Sequence, residues 1–124
     1  MSNDIRVFSV DDHAIVREGI AMIINCQEGM SMVAQAANGR EAIERFREYK
    51  PDVTLMDLRL PDMTGIDAMI AIRREFPQAR VIILTTFQSD LEVQGALAAG
   101  ASGYMLKSAD PRDLAETIRR VHSQ

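Results

Sequence analysis

Short apolar runs alternate along the chain with longer segments in which apolar residues recur every three or four positions. The runs have the length and the β-branched content of strands, and the segments between them have the period of amphipathic helices. The pattern predicts five strand–helix units in strict alternation. The predicted strands span residues 5–10, 30–37, 53–56, 80–85 and 102–106.

Polar residues at the starts of the predicted helices support this division. Asn38 and Ser89 each stand three residues before a glutamate, which is the capping-box pattern, and Thr64 can cap the third helix. Asp110 precedes a proline, a favourable pair at a helix start, and Gly100 is predicted to end the fourth helix in a left-handed conformation. The helical apolar positions are Ile15, Ile20, Ile24, Ala42, Ile43, Phe46, Tyr49, Ile66, Met69, Ile70, Ile72, Leu114, Ile118 and Val121.

Strict alternation of strands and helices predicts a parallel sheet covered by helices on both faces, because each crossover is right-handed and returns over one face. Five units in 124 residues fit an open flavodoxin-like α/β sheet, with strand order 2-1-3-4-5, better than a closed barrel. Residues 81–84 are all apolar, which is typical of a strand covered on both faces. We expect residues 1–124 to form a single domain.

The composition limits the classes of protein to which the chain can belong. With 47% hydrophobic and 26% charged residues it is typical of a folded globular domain, and its net charge of −4 argues against a nucleic-acid-binding surface. Cys26 is the single cysteine, which excludes an internal disulfide and a cysteine-type zinc site. No apolar segment approaches membrane-spanning length, and residues 1–4 are polar, so we expect a cytoplasmic protein with no membrane partner.

Reactive side chains stand at the ends of four of the predicted strands. Asp11 and Asp12 follow the first strand, Asp57 follows the third, Thr85 ends the fourth and Lys107 follows the fifth. All strands of a parallel sheet end at the same edge, and open α/β sheets bind their ligands there. With the predicted strand order, we expect three carboxylates, a hydroxyl and an ammonium group to lie together.

This set of residues predicts phosphoryl transfer. Three neighbouring carboxylates repel one another, and without compensation the pKa of at least one would be raised. Mg²⁺, which prefers oxygen ligands, relieves the repulsion. Lys107 and Thr85 can then bind oxygens of a phosphoryl group, and Asp57 is the predicted nucleophile that forms an acyl phosphate.

These residues, together with the run 60–65 after Asp57 and the run 103–107, resemble the receiver domain of two-component response regulators. The resemblance covers essentially the whole chain. It implies that Asp57 accepts phosphate from a sensor histidine kinase, and that Asp11, Asp12, Asp57 and the backbone carbonyl of Arg59 hold Mg²⁺. It also implies that Thr85 and Tyr104 form a conformational switch, so the domain is a signalling module and not a metabolic enzyme.

Residues 12–13, 16–19 and 99–107 are similar to the NarL/FixJ-type subgroup of these regulators. In that subgroup the output is usually a helix-turn-helix domain, so we expect the chain to be the N-terminal part of a longer transcription regulator. DNA contact is then expected only through that further domain. A phosphorylation-dependent homodimer is also implied, through either the last two helices and last strand or the first and fifth helices.

Two alternatives share parts of this pattern. A Mg²⁺-dependent phosphatase of the haloacid-dehalogenase type also uses an aspartate nucleophile at a strand end, but it has a second acid two residues later, where this chain has Arg59. A phosphate-independent interaction module or a flavin-binding protein shares the predicted fold, but it gives no reason for three acids and Lys107 to converge.

Some residues differ from the commonest pattern of the family or admit simpler interpretations. Ser108 follows Lys107 where many receivers have proline, so a cis peptide bond cannot be assumed there. We hypothesise that Arg59 and Thr86 together tune hydrolysis of the acyl phosphate by restricting the approach of water. His13 is interpreted as a residue that flanks the site. We expect the methionines to fill the core and Arg73, Arg74, Arg119 and Arg120 to lie on solvated helix faces.

Overall fold

The computed structural model describes residues 4–86 and 89–124, and of the predicted polar N-terminal stretch only Asp4 lies within them. Five strands and five helices alternate along the described chain, as the sequence predicts. The elements are β1 (Ile5–Val10), α1 (Ala14–Asn25), β2 (Met30–Ala36), α2 (Gly39–Tyr49), β3 (Val53–Asp57), α3 (Gly65–Glu75), β4 (Val81–Thr85), α4 (Asp90–Ala98), β5 (Gly103–Leu106) and α5 (Pro111–His122).

The strands form one parallel sheet in the order β2-β1-β3-β4-β5, which confirms the predicted flavodoxin-like topology. Alternate strand residues point to opposite faces, so the sheet has two apolar surfaces. On one face Met56 and Ile83 pack with residues of α2 and α3. On the other face Leu55 and Ile82 pack with residues of α1 and α5. Each fully buried aliphatic side chain contributes about 1.5–3 kcal/mol to this packing.

The predicted helix caps are confirmed. Each capping side chain accepts a hydrogen bond from a backbone N–H two or three residues later, which satisfies a donor that has no partner within the helix. The left-handed conformation predicted at Gly100 is also confirmed, with a φ of 108°. The distance from the side-chain oxygen of the capping residue to the backbone nitrogen is 2.9 Å for Asn38 and Glu41, 3.1 Å for Thr64 and Asp67, 3.2 Å for Ser89 and Glu92, and 2.8 Å for Asp110 and Arg112.

Two apolar residues that the sequence places in helical stripes lie outside the core. Ile15 is 85% exposed because it stands five residues before Ile20, and five residues turn an α-helix by about 140° away from the buried stripe. Tyr49 is 38% exposed because it is the last residue of α2, beyond the well-buried Phe46. The buried faces predicted for α3 and α5 are confirmed at Met69, Ile72, Leu114, Ile118 and Val121.

The prediction that Arg73 is solvated is wrong. Its side chain is half-buried, donates to the Pro77 carbonyl at 2.9 Å and lies where a Cβ at Gly100 would be. Glycine at position 100 thus provides both the positive φ and the space for the guanidinium. Arg74, Arg119 and Arg120 are exposed as predicted. Within residues 4–86 and 89–124, none of the helices has the length and apolar character needed to cross a membrane.

Candidate functional site

The structure brings the side chains predicted at the strand ends to one edge of the sheet. Asp11 directly follows β1, Asp57 ends β3 and lies opposite Leu84 of β4, and the backbone N–H of Lys107 donates to the Thr85 carbonyl at 2.7 Å. A cleft of about 330 Å³ opens at this edge. It is lined by Asp12, His13, Asp57, Arg59, Leu60, Pro61, Thr85, Thr86 and Lys107.

Lys107 binds two buried carboxylates at once. Its Nζ lies 2.6 Å from Oδ2 of Asp11 and 3.0 Å from Oδ2 of Asp57. Asp11 and Asp57 are both buried, and only 13% of the lysine side chain is exposed. The peptide bond between Lys107 and Ser108 is trans, and the lysine reaches both acids in that conformation. A buried charge is costly without a partner, so this ammonium group is the local compensation for the two acids.

The two carboxyl groups on Lys107 have opposite pKa shifts. For Asp11, burial acts to raise the pKa, but hydrogen bonds from Lys107 and His13 outweigh it, so the pKa lies below its usual value. For Asp57, burial raises the pKa, and Lys107 and the Arg59 N–H offset this only in part. Burial acts to lower the pKa of Lys107, but its bonds to the two acids raise that pKa overall. The lysine and Asp11 therefore remain ionised, and Asp57 is the less stabilised anion.

His13 lies closer to the chemistry than its sequence interpretation as a flanking residue indicates. Its backbone N–H donates to Oδ1 of Asp11 at 2.8 Å, and its ring Nδ1 lies 3.0 Å from that oxygen and 3.1 Å from Oδ1 of Asp12. Arg17 also contributes, since its Nη1 donates to the Asp11 carbonyl at 2.5 Å. In the sequence both residues lie in runs that resemble the NarL/FixJ-type subgroup, but their contacts with Asp11 do not follow from strand or helix periodicity.

The turn after Asp57 is fixed at two points. The Arg59 N–H donates to Oδ1 of Asp57 at 3.3 Å. Asp62, which the sequence analysis does not single out, accepts hydrogen bonds from the N–H groups of Gly39 at 2.8 Å and Arg40 at 3.0 Å, at the start of α2. These bonds lower the pKa of Asp62, with the Gly39 bond as the largest contribution. The turn that carries the predicted carbonyl ligand of Arg59 is thus tied to a neighbouring helix.

The donor set at this edge fits a divalent cation with oxygen ligands. One ligand atom from each of Asp11, Asp12, His13 and Asp57 lies within 4.8 Å of the others. Lys107 supplies one positive charge against three carboxylates, which leaves an excess of negative charge for a cation to neutralise. Mg²⁺ binds through one or two carboxylates together with waters and phosphate oxygens, and the exposed Asp12 and the open cleft allow that arrangement.

The predicted switch residues lie beside the cleft. Burial raises the pKa of the Tyr104 hydroxyl, the Glu92 carboxylate acts in the same direction, and a contact with Thr85 opposes both. Arg59 reaches across from the turn after β3, with its Nη2 3.6 Å from Oε2 of Glu92 at the start of α4. Thr86 is exposed at the cleft. The roles assigned to these residues from the sequence stay predictions, although the structure brings them together.

Comparison with known proteins agrees with this geometry. The family described as "Response regulator receiver domain" matches residues 7–119. The response regulator protein VraR of Staphylococcus aureus is 42% identical over 117 residues, which cover 94% of this chain and 56% of VraR. The chain thus spans about half the length of the curated relatives that it matches.

Solved structures of response regulators also superpose closely on this chain. A LuxR-family two-component response regulator from Aurantimonas superposes with a TM-score of 0.93 at 42% identity, covering 97% of this chain and 86% of that one. The receiver domain of the putative response regulator NarL from Mycobacterium tuberculosis has a TM-score of 0.93 at 28% identity and covers 98% of both chains.

These comparisons offer no support for the phosphatase or the flavin-binding alternative. The family match, the relatives and the edge at which the acids meet all agree with the resemblance found in the sequence. The chain therefore belongs to the response regulator receiver domain family, with relatives of the LuxR and NarL type.

Proposed function

We propose that this domain is a phosphorylation-controlled switch in which Asp57 accepts a phosphoryl group from a sensor histidine kinase. The observation that carries the proposal is the pair of buried carboxylates on Lys107, which differ in the direction of their pKa shifts. Asp11 is the better stabilised anion and acts as a fixed charge. Asp57 is the less stabilised anion, so its carboxylate oxygen is the better nucleophile for forming an acyl phosphate.

In the proposed step, a carboxylate oxygen of Asp57 attacks the phosphorus of a phosphohistidine on the kinase. The O–P bond forms as the N–P bond breaks, and the electron pair returns to the imidazole, which takes up a proton from solvent. Lys107 lies 3.0 Å from Oδ2 of Asp57, within reach of a phosphoryl oxygen attached there. Its ammonium group neutralises charge that develops on the transferred group.

Asp11, Asp12 and Asp57, with the backbone carbonyl of Arg59, are the groups that would hold Mg²⁺. When bound, the cation neutralises the carboxylates and the transferred phosphoryl oxygens. The chain's own part is to keep the ligands in place. Lys107 and His13 hold Asp11, and the Arg59 N–H orients Asp57.

Phosphorylation is then communicated through the region of Thr85 and Tyr104. A phosphoryl group adds about −1.5 to −2 charges at neutral pH, which attracts the Thr85 hydroxyl and the Lys107 ammonium group. Movement of Thr85 changes its contact with Tyr104, so the ring can reorient and alter the surface formed by α4 and β5. Such a change is the kind of two-state event by which a receiver controls a partner.

The domain is proposed to act within a longer regulator of transcription. The matched segment is 56% of the length of VraR, and a LuxR-family regulator is among the similar solved structures. The net charge of −4 argues that DNA is bound by a separate output domain, of the helix-turn-helix type implied by the subgroup. A phosphorylation-dependent homodimer is a further part of this proposal.

Acetyl phosphate provides a direct test, because it can donate a phosphoryl group without the kinase. Intact-mass spectrometry after incubation with Mg²⁺ is expected to show one added phosphoryl group, which disappears without Mg²⁺ and in Asp57→Asn. Asp67→Asn, which changes an exposed acid in the first turn of α3, is the matched control and is expected to retain the adduct. An adduct of equal yield in Asp57→Asn would reject the proposal, and steady turnover of a phosphomonoester would favour the phosphatase.

A further inference from the structure

Asp62 makes contacts that the proposed phosphoryl transfer does not use. Its two carboxylate oxygens accept hydrogen bonds from two backbone N–H groups in the first turn of α2, that of Gly39 at 2.8 Å and that of Arg40 at 3.0 Å. Asp62 itself lies in the turn between β3 and α3, 23 residues beyond Gly39. One exposed side chain therefore links two segments that are distant in sequence.

An apolar contact joins the same two segments. A Cβ atom at Gly39 would overlap the side chain of Met63, so only glycine lets the turn approach the start of α2 this closely. Met63 also packs against the core cluster that includes Ala42 of α2. The positive end of the helix dipole favours the Asp62 carboxylate at this place. The turn is thus bound to α2 by hydrogen bonds, charge and packing together.

The turn between β3 and α3 is a closed hairpin, because backbone hydrogen bonds join its two sides. Arg59, on the first side, forms an isolated antiparallel bridge with Thr64 on the second. Asp62 lies at the tip, three residues after Arg59, so a link at Asp62 restrains the backbone that carries the Arg59 carbonyl. The bonds run from the Gly65 N–H to the Leu58 carbonyl at 2.7 Å and from the Leu60 N–H to the Met63 carbonyl at 3.3 Å.

We propose that Asp62 is a positioning residue of the phosphoryl-transfer site, which fixes the hairpin to α2 and so keeps the Arg59 carbonyl in place for Mg²⁺. The inference rests on the metal site of the proposed function and adds a residue outside its ligand set. Mg²⁺ demands nearly ideal octahedral geometry, so a ligand on a loose turn costs affinity. Groups that orient metal ligands from outside contribute to affinity for the same reason.

A role in positioning has to be separated from a role in stabilising α2. Any carboxylate at a helix N-terminus stabilises that helix, whether or not it restrains a metal ligand. Asn38 provides the comparison, since its Oδ1 accepts from the Glu41 N–H at 2.9 Å in the same first turn. Asn38 belongs to the start of α2, whereas Asp62 belongs to the hairpin. Asn38→Ala therefore weakens the helix start and leaves the link to the hairpin in place.

Calorimetric titration of the whole chain with Mg²⁺ tests the proposal. We expect Asp62→Ala to weaken Mg²⁺ binding by about tenfold, and the matched control Asn38→Ala to change it by less than about twofold. Asp62→Asn keeps an oxygen that can accept one of the two bonds, so its affinity is expected to lie within about threefold of wild type.

Amide hydrogen exchange in the metal-free protein gives a readout that does not depend on Mg²⁺. The Gly65 N–H closes the base of the hairpin through its bond to Leu58. We expect this N–H to exchange about fivefold faster or more in Asp62→Ala, because the hairpin then opens more often. In Asn38→Ala its exchange rate is expected to equal that of wild type.

Equal Mg²⁺ affinity in wild type and Asp62→Ala would overturn the proposal, and so would equal losses in Asp62→Ala and Asn38→Ala. Unchanged exchange of the Gly65 N–H in Asp62→Ala would also overturn it. The phosphoacceptor function is assessed by a different measurement, the adduct on Asp57. If wild type gives the adduct and Asp62→Ala binds Mg²⁺ as wild type does, only the inference about Asp62 fails. If wild type gives no adduct, the proposed function fails, and the titration and exchange still decide the role of Asp62.

Discussion

The ends of β1 and β3 carry the same chemical group in similar surroundings, yet the pKa values of the two carboxyl groups are shifted in opposite directions. Asp11 and Asp57 are both buried, and both bind Lys107. Asp11 receives two further hydrogen bonds from His13, whereas Asp57 receives one long bond of 3.3 Å from the Arg59 N–H. The pKa of Asp11 is therefore lowered and that of Asp57 is raised. Burial acts to raise both pKa values, so the difference teaches that the sum of the bonds to each acid, with the closer Lys107 contact and the His13 bonds on Asp11, decides which acid remains a fixed anion.

Removal of the shared cation is expected to have the largest effect. Lys107→Met leaves two buried carboxylates facing each other, and loss of one partner from a buried ionic group costs about 3 kcal/mol or more. We expect urea denaturation at pH 7 to show a decrease of that size in the unfolding free energy of Lys107→Met. The loss shrinks as the pH falls, because Asp11 and Asp57 then become neutral in the variant.

Lys50→Met is the control for this experiment. Lys50 is the other lysine of the chain and is exposed at the end of α2, so its loss is expected to change stability by less than about 0.5 kcal/mol. Similar losses for both variants, or a loss for Lys107→Met that does not depend on pH, would contradict the role assigned to the ammonium group.

Neutral substitutions of Asp11 and Asp57 are expected to change the unfolding free energy in opposite directions. Asp57→Asn should raise the unfolding free energy by about 1 kcal/mol at pH 7, and Asp11→Asn should lower it by a similar amount. A raised pKa in the folded state means that stability falls as the pH rises through that pKa. A lowered pKa means that stability is present above the unfolded value of about 3.9 and is lost as the pH falls through the folded pKa.

The pH dependence of stability in Asp57→Asn and Asp11→Asn tests the difference between the two carboxylates further. The gain from Asp57→Asn and the loss from Asp11→Asn should both fade in acid, where the carboxyl groups of the wild type are protonated. Urea denaturation of the three proteins from pH 7 down to about pH 2.5 checks this, because the folded pKa of Asp11 lies below its usual value. Effects of the same sign at pH 7 would mean that the two carboxylates are equivalent.

The smallest expected effect concerns the lifetime of the phosphoryl group. Arg59 and Thr86 line the cleft, and the Arg59 side chain is held toward Glu92 at 3.6 Å. If they restrict the approach of water, Arg59→Ala and Thr86→Ala should each speed dephosphorylation of Asp57 by about threefold, or about 0.6 kcal/mol in barrier height. Loss of the adduct can be followed by mass after acetyl phosphate is removed. Rates equal to wild type would reject this role for both residues.

Much of the fold could be predicted because its signals are local. The all-apolar run of β4, the capping residues and the glycine at position 100 each report on backbone a few residues away. The errors have geometric reasons. Ile15 was grouped with the other isoleucines of α1, but its direction around the helix axis lies outside the buried stripe. The burial of Arg73 depends on Gly100, which is distant in sequence.

The residues of the site could be predicted because they stand at strand ends, but the hydrogen bonds and ion pairs between them could not. Parallel topology alone brings Asp11, Asp57 and Lys107 to one edge. The sequence contains no information on which oxygen each donor contacts, so the opposite pKa shifts could not be predicted. The contacts of His13, which was interpreted as a flanking residue, and of Asp62 could not be predicted because loop backbone, rather than helix or strand periodicity, directs their side chains.

The central claim is that Asp57 alone, of the three neighbouring acids, forms the acyl phosphate. Borohydride reduces an acyl phosphate to an alcohol, which converts the modified aspartate into homoserine, and peptide mass mapping then locates that residue. After reaction with acetyl phosphate and Mg²⁺, we predict homoserine at position 57 and unmodified aspartate at positions 11 and 12. Homoserine at position 11 or 12, or at none of the three, would contradict the account.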